Sequence, residues 1–384
     1  MDLDLAYPAV SDLARRARRR IPRFAWEYLD SATGDEASAR ANRSALDAVR
    51  LRPQVMAGHA DPVLATELLG ATHALPVGIA PIGMTSVIWP GAETILARLA
   101  AEIGVPFALS TVSATTPEQI GPISGGRGWF QLYPPRDPGI LSDLLRRAKE
   151  AGFGTLVLTA DVPVASRRER QTRARLTNPM RVTPRTLAEV ALAPAWGIEM
   201  TRWMRENGGV PHLKTLEPYV ETSGAKSGTA HAGYLIRGAP DWDYFARLRE
   251  AWKGPLIVKG ILDPDAARTA ADEGADALWV SNHGGRQFEA APAAIDVLEP
   301  VRAAVGYGVP LLYDSGIRSA TDVLRAIAKG ADFVMLGRAM QYGLAAFGER
   351  GARHVLHIIR EGLHADMGQL GIVRPVEARA RLMR

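Results

Sequence analysis

The residues best equipped for chemistry stand together at Ser281-Asn282-His283-Gly284-Gly285-Arg286. A histidine titrates near neutral pH and can take or give a proton. An arginine three residues on presents a planar fork that grips a carboxylate through two hydrogen bonds. Brought side by side, the two suit removal of a proton next to a carboxylate. Taken alone, such a histidine is more often a hydrogen-bonded loop residue, and such an arginine a surface charge. The surrounding elements decide between these readings.

The loop follows Ala277-Leu278-Trp279-Val280, a short apolar run bounded by turn residues that reads as a buried strand. From residue 76 onward such runs recur: Val77–Ala80, Pro106–Ser110, Trp129–Tyr133, Thr155–Ala160, Leu256–Lys259, Ala277–Ser281, Pro310–Asp314 and Asp332–Gly337. Helical stretches at 92–104, 138–152, 263–274 and 319–329 lie between them. Strands alternating with helices imply a parallel sheet, and eight repeats predict an α/β fold, a (β/α)8 TIM barrel. A doubly wound open sheet is the alternative, but it should carry a GxGxxG turn after its first strand, and none is present. The chain reads as one barrel domain over 1–384 with an N-terminal helical extension over 1–75.

Within that extension, residues 11–20 predict a short basic helix with a solvated face. Ile21-Pro22 opens a second helix, whose apolar side holds Phe24, Ala25, Tyr28 and Leu29. Tyr28 reads there as a core residue. About ninety residues separate the fourth and fifth strands, far more than a crossover needs, so 170–240 is expected to form an insertion or lid after strand 4. Thr215 to Gly238, rich in small residues, is expected to be mobile. Leu187 to Trp203 either packs on the barrel rim or forms an amphipathic segment on a membrane surface. A final helical stretch at 339–369 is expected to cross the barrel.

In a barrel, the C-terminal strand ends converge on one face, where active sites are built. Here those ends are polar one after another: Ser110, Gln131 and Tyr133, Thr159 and Asp161, Lys259, Ser281 and His283, Asp314, and Gly337-Arg338. Asp161 could orient His283 and stabilise its protonated form. Lys259 supplies a fixed positive charge. Arg286 and Arg168 could clamp a carboxylate. Asp314-Ser315-Gly316-Ile317-Arg318 and Gly337-Arg338 follow strands seven and eight, the corner of such barrels that commonly binds phosphate. Together these predict deprotonation or oxidation beside a carboxylate, with a phosphorylated cofactor or substrate.

Composition narrows the field. The chain of 384 residues has no cysteine, which excludes thiol catalysis, disulfides, iron–sulfur clusters and Cys-bound zinc, so electrons need an organic cofactor. The net charge is +5 without a basic stripe interleaved with aromatics, so no nucleic-acid partner is expected. Met1 to Val10 lacks the apolar core of a signal peptide, and no apolar window is long enough to span a bilayer. No metal site is expected. His354 and His357 have helix-neighbour spacing and read as a surface pair, while His59, His73, His212, His231 and His364 carry no pattern.

These motifs resemble those of the FMN-dependent α-hydroxy acid oxidases and dehydrogenases, the family of glycolate oxidase, L-lactate dehydrogenase and mandelate dehydrogenase. The resemblance runs from about Ile21 to the final helix. It is carried by Ser-Asn-His-Gly-Gly-Arg-Gln at 281–287, Phe130-Gln131-Leu132-Tyr133, Leu158-Thr159-Ala160-Asp161, Val258-Lys259-Gly260 and Asp314-Ser315-Gly316-Ile317-Arg318. It implies FMN held by Ser110, Gln131, Thr159, Lys259 and Ser281 along the ring and ribityl chain, and by the backbone of Ala80, Pro81 and Ile82 at the ring. Asp314, Gly316, Arg318, Gly337 and Arg338 would hold the phosphate end. His283 is then the base and Asp161 its partner. Arg168 and Arg286 bind the substrate carboxylate with help from Tyr28, and Tyr133 bonds the substrate hydroxyl.

The implied reaction oxidises an L-2-hydroxy acid to a 2-oxo acid, the proton leaving carbon or oxygen. Gly83 matches the dehydrogenase-like members, and the Pro194-Ala195-Trp196 region resembles the mandelate dehydrogenase branch, which implies a quinone-type acceptor and peripheral contact of a cytoplasmic protein with the inner face of the membrane. An oxidase using O2 is the alternative. Residues near Val112, Trp89 and the 170–240 insertion are expected to shape the side-chain pocket. A homotetramer is implied as well. Among rivals, an FMN-dependent isomerase has no use for two arginines beside the histidine. An inosine-monophosphate-dehydrogenase-like enzyme needs a cysteine. A non-catalytic flavin-binding scaffold has no need of His283, Asp161 and Arg286, and all three are present.

Overall fold

A computed structural model of the chain describes residues 1–59, 61–176, 183–220 and 238–383. All eight apolar runs form strands: β1 (Val77–Ile79), β2 (Phe107–Ser110), β3 (Gly128–Leu132), β4 (Thr155–Thr159), β5 (Leu256–Ile261), β6 (Ala277–Val280), β7 (Leu311–Tyr313) and β8 (Phe333–Leu336). They pair in parallel in chain order, and β8 returns to β1 with Leu336 opposite Ile79, closing the (β/α)8 barrel. Strands buried on both faces must be apolar throughout, which is why they read as runs rather than as alternations. Inside the barrel, bulky Trp129, Trp279 and Phe333 interleave with Ala80, Ala108 and Ala277.

The N-terminal extension is helical only in part. The helices Leu3–Ala6, Val10–Arg20, Arg23–Asp30 and Ala37–Ala48 are followed by an antiparallel hairpin, Thr66–Leu68 with Ala71–His73. Leu68 joins the interior cluster, so the hairpin caps the end of the barrel opposite the polar strand ends. The helical part of the extension expected over 1–75 therefore ends early, because the open barrel base needs an apolar plug. The Val10–Arg20 helix buries Val10, Leu13 and Ala17. Its arginines divide: Arg15, Arg18 and Arg19 face solvent, while Arg16 and Arg20 donate to the Ala346 and Ala345 carbonyls.

The insertion after β4 contains helices Pro184–Ala191 and Pro194–Asn207. Trp196, Met200 and Trp203 face inward. The Trp196 indole N–H donates to the Val87 and Ile88 carbonyls at 3.2 and 3.1 Å, and its ring meets Phe24 edge-on. This is the rim-packing reading. The opposite face nonetheless leaves Leu187, Leu192 and Ile198 at 59%, 83% and 62% exposure. The stretch expected to be mobile begins as packed structure: Thr215 and Leu216 are buried, and Thr215 bonds the Thr115 carbonyl. Most of the rest of that stretch, 221–237, falls outside the described residues, as do 177–182 of the insertion and His231.

The expected C-terminal helix is two, Arg338–Phe347 and Glu349–Leu370, because the chain turns at Gly348 with φ +63° and ψ −142°. His354 is buried rather than exposed, its Nε2 2.9 Å from the Tyr7 carbonyl and its ring stacked on His357. Among the described residues no helix is long and apolar enough to cross a membrane, and no cluster of potential ligands could hold a metal ion.

Candidate active site

The loop after β6 delivers His283 with φ +57°, a conformation that a side chain rarely adopts and that surrounding contacts must enforce. Those contacts come from the helix Ala37–Ala48. The Asn282 amide N–H donates to Asn42 Oδ1, Ser38 Oγ and the Pro292 carbonyl, and its Oδ1 accepts from Gly285 N–H. Gly285 passes so close that an added Cβ would lie 2.6 Å from the Ala39 backbone nitrogen. Asn42 and Ser38 give no sign of this role in the sequence, since their partners lie some 240 positions away.

His283 Nδ1 lies 3.1 and 3.2 Å from the two carboxylate oxygens of Asp161, at the end of β4. The approach needs Gly260, where β5 bulges with φ +102°: a Cβ there would stand 2.4 Å from the Asp161 Cβ. Burial lowers the His283 pKa, Asp161 pulls it back up, and Lys259 adds to the lowering, with a net shift downward. Burial tends to raise the Asp161 pKa, but His283 and Lys259 outweigh it and hold the carboxyl below its usual range. The pair therefore rests as neutral imidazole and carboxylate.

Lys259 is buried beside this pair. Its ammonium donates to Ser281 Oγ at 3.0 Å and lies 3.5 Å from Asp314. Burial opposes its charge, but Asp314, Asp161 and Tyr133 raise its pKa above normal. Ser281 Oγ donates to Asp314 at 2.5 Å and accepts the His283 N–H at 3.0 Å. The ends of β5, β6 and β7 are thereby joined. A second chain crosses β2, β3 and β4: Ser110 Oγ donates to Gln131 Oε1 and Gln131 Nε2 to Thr159 Oγ1, each at 2.9 Å. These last three side chains stand beside the pocket, not among the residues lining it.

The pocket at this face holds about 1510 Å³ of free space, including its open mouth. Its walls carry Tyr28, Tyr133, Arg168, Lys259, His283 and Arg286, together with Ala80 to Gly83 and the Asp314–Arg318 and Gly337-Arg338 loops. Tyr28 donates to the Gly83 carbonyl at 2.6 Å, and Arg286 lies 5.5 Å from the centre of the Tyr28 ring. One Arg286 nitrogen donates to the Tyr28 and Ser31 carbonyls. Arg338 donates to Leu29, Ser31 and Gly284 carbonyls. Burial, then Arg168 and Arg338, lower the Arg286 pKa to about 9. Among the described residues no carboxylate lies within ion-pair distance of Arg168, Arg286, Arg318 or Arg338, and with Asp314 taken up by Lys259 and Asp30 and Glu36 acting on Arg338 only from farther off, the pocket gathers net positive charge.

The insertion supplies Gln171, Leu176 and Leu213 to the lining, as expected, whereas Val87 and Met335 line the pocket without having been singled out in the sequence. Gln171 Oε1 is buried there without a hydrogen-bond partner. Val112 lines the pocket as expected, and a Cβ on Gly83 would sit 2.4 Å from its Cγ2. Trp89 is not among the lining residues. It is buried under Arg20, whose guanidinium lies 4.3 Å from its ring.

Comparison with known proteins agrees with this arrangement. The model of the FMN-dependent dehydrogenase family matches residues 17–384. The chain belongs to that family. An L-lactate dehydrogenase of Caulobacter vibrioides is 38% identical over 366 residues, covering 95% of this chain and 94% of that one. The crystal structure of a monotopic membrane protein, (S)-mandelate dehydrogenase, superimposes with a TM-score of 0.90 at 32% identity, covering 98% of both chains. That of a mandelate oxidase gives 0.82 at 33% identity and the same coverage.

The pocket fits the cofactor of this family. Space around Gly337 is open, the nearest atom to an added Cβ being Ile82 Cδ1 at 3.8 Å. The helix Arg338–Phe347 starts at this glycine and points its N-terminal N–H groups toward the same corner. Arg43 braces the neighbouring loop, donating to the Gly316 carbonyl and to Asp322, which accepts the Arg318 N–H. A glycine cradle, a helix N-terminus and two arginines suit a phosphate, and the same cavity runs on from them past Ala80–Gly83 to Lys259, His283 and Arg286. The chain is an FMN-dependent hydroxy acid dehydrogenase or oxidase by family.

Proposed function

We propose that this chain oxidises an L-2-hydroxy acid to the 2-oxo acid and passes the electrons to a quinone-type acceptor. The observation that carries the reading is the His283–Asp161 pair opening onto the same pocket as the uncompensated arginines. FMN, when bound, supplies the acceptor for two electrons. In this reading Ser110, Gln131, Thr159, Lys259, Ser281 and the backbone of Ala80, Pro81 and Ile82 hold its ring and ribityl chain. Asp314, Gly316, Arg318, Gly337 and Arg338 hold its phosphate.

Arg168 and Arg286 grip the substrate carboxylate, with Tyr28 beside them, and Tyr133 bonds the hydroxyl. With Nδ1 committed to Asp161, His283 Nε2 is the atom that takes the proton. Asp161 then stabilises the imidazolium. Lys259 keeps a positive charge next to the electron acceptor. The test is anaerobic bleaching of the flavin by small, aromatic and long-chain L-2-hydroxy acids. At least one class is expected to bleach it fully, and a preparation that no class bleaches would refute the reading. The base must be neutral to act, and its pKa lies below the ordinary value of about 6.5. Activity should therefore persist to low pH, with the acidic limb of kcat/KM centred under 6.5; a limb centred above that value would contradict the assignment.

The acceptor and the location belong to the same proposal. The exposed Leu187 and Ile198 lie on two helices and Leu192 on the turn between them, next to a cleft lined by Arg15, Arg16, Arg19 and Arg20 together with Ala193 to Ala195. Apolar side chains flanked by cations suit the interface of an anionic bilayer. A triple variant with glutamate at 187, 192 and 198 is expected to lose at least about tenfold in binding to anionic vesicles, since each buried leucine or isoleucine contributes roughly 1.5–3 kcal/mol. Its flavin reduction should be unchanged. Equal sedimentation of the variant and the parent protein with vesicles would place the contact elsewhere. Peroxide formed in step with turnover would favour O2 over a quinone.

A further inference from the structure

Arg170 does not line the pocket, yet among the described residues it pairs with three carboxylates, more than any other arginine. It stands in the short helix Glu169–Arg173, two residues after Arg168. Its Nε donates to Glu27 at 2.6 Å, Nη2 to Asp30 at 3.0 Å, and Nη1 to both oxygens of Glu36 at 3.0 Å. Glu27 and Asp30 belong to the helix that carries Tyr28, and Glu36 lies in the turn that follows. Glu169 reinforces the junction by accepting the Gly34 N–H at 2.8 Å. One guanidinium thus ties together two segments far apart in sequence, and each of them sends a side chain into the pocket.

The charge balance shows what the tie resists. Three carboxylates of the 27–36 segment converge on the one cation supplied by the other segment, so without Arg170 the attraction that joins the two is lost and the carboxylates are left crowded against one another. Arg168 also has φ +46°, an unfavourable backbone conformation for an arginine, held at the entrance to this helix. A side chain presented from such a position depends on the anchor beyond it. Planar, forked and permanently charged, arginine can serve three carboxylates at once, which a lysine cannot do with the same geometry.

We infer that Arg170 is a positioning residue: it clasps the Arg168 segment to the Tyr28 helix and so sets the geometry in which the substrate carboxylate is bound. The inference rests on the carboxylate-binding role proposed above for Arg168. In the FMN-loaded enzyme, Arg170→Met is expected to raise KM for the bleaching 2-hydroxy acid by roughly 10- to 100-fold, the scale of a misplacement of about 1 Å. Affinity for the 2-oxo acid product, read from the flavin absorption band, should fall in parallel. Flavin reduction at saturating substrate and FMN content should hold. Arg170→Lys should fall between.

Glu27→Gln and Glu36→Gln each leave Arg170 in place and are expected to give smaller rises in KM, so the clasp can be tested even if Arg170→Met does not fold. Combined with Arg170→Met, they should add less than their separate effects. A KM and a product affinity unchanged across these variants, or a loss confined to kcat, would overturn the clasp. Arg168→Met separates the two ideas. If it leaves product affinity intact, the carboxylate assignment itself fails. If it weakens the product while the Arg170 variants do not, only the clasp fails.

Discussion

Substituting His283 by alanine should slow flavin reduction by roughly 10²–10⁴-fold, the usual contribution of a positioned general base, while the protein stays yellow. The expectation follows from geometry. Nδ1 is engaged by Asp161 at 3.1 Å, and the ring opens on the pocket, so loss of the imidazole removes the proton acceptor without touching the phosphate corner. Asp161 should behave differently. Asp161→Asn keeps a side chain beside Nδ1 but removes the charge that stabilises the imidazolium, and it should slow reduction and shift the acidic limb to lower pH. Stopped-flow reduction under anaerobic conditions reads both. Normal bleaching by His283→Ala would end the assignment of His283 as the base.

Lys259→Met should cost about 3–5 kcal/mol of stability, the range seen when one member of a buried ion pair is removed. Asp314 would keep the hydrogen bonds from Ser281 and Ser315 but lose its cation, which places the effect at the lower end. The same ammonium faces Asp161 and depresses the His283 pKa. Its removal should therefore move the acidic limb of kcat/KM to higher pH as FMN retention falls. Denaturant unfolding measures the first effect, a pH profile of the reconstituted protein the second. A stable variant with an unmoved limb would show that Lys259 is a bystander.

The barrel was legible because a strand buried on both faces has no polar alternative. Each of the eight runs therefore announces itself locally, and the polar residue at its end stands out against it. The lost detail lies where one stretch of chain answers to a distant one. The His354 side chain reads as exposed from its helix spacing and is buried only because Tyr7 lies over it. Trp196 and Trp203 read as candidates for a membrane face, yet both are buried, and the Val87 and Ile88 carbonyls and Phe24 await Trp196 on the inside. The hairpin at 66–73 closes a hole that exists only once the barrel has formed.

The loop at Ser281–Arg286 shows the same division. Its residue types, with the polar strand ends and the absence of cysteine, pointed to a base, a carboxylate fork, a phosphorylated cofactor or substrate, and deprotonation or oxidation beside a carboxylate. Chemistry of that kind is written in side-chain identity. Sequence could not show that the φ of His283 is enforced by Asn42 and Ser38, that Gly260 lets Asp161 approach, or that Arg170 gathers three acids to hold Arg168 in place. Those facts depend on distances between residues up to some 240 positions apart, which become short only when the N-terminal helices fold over the mouth of the barrel.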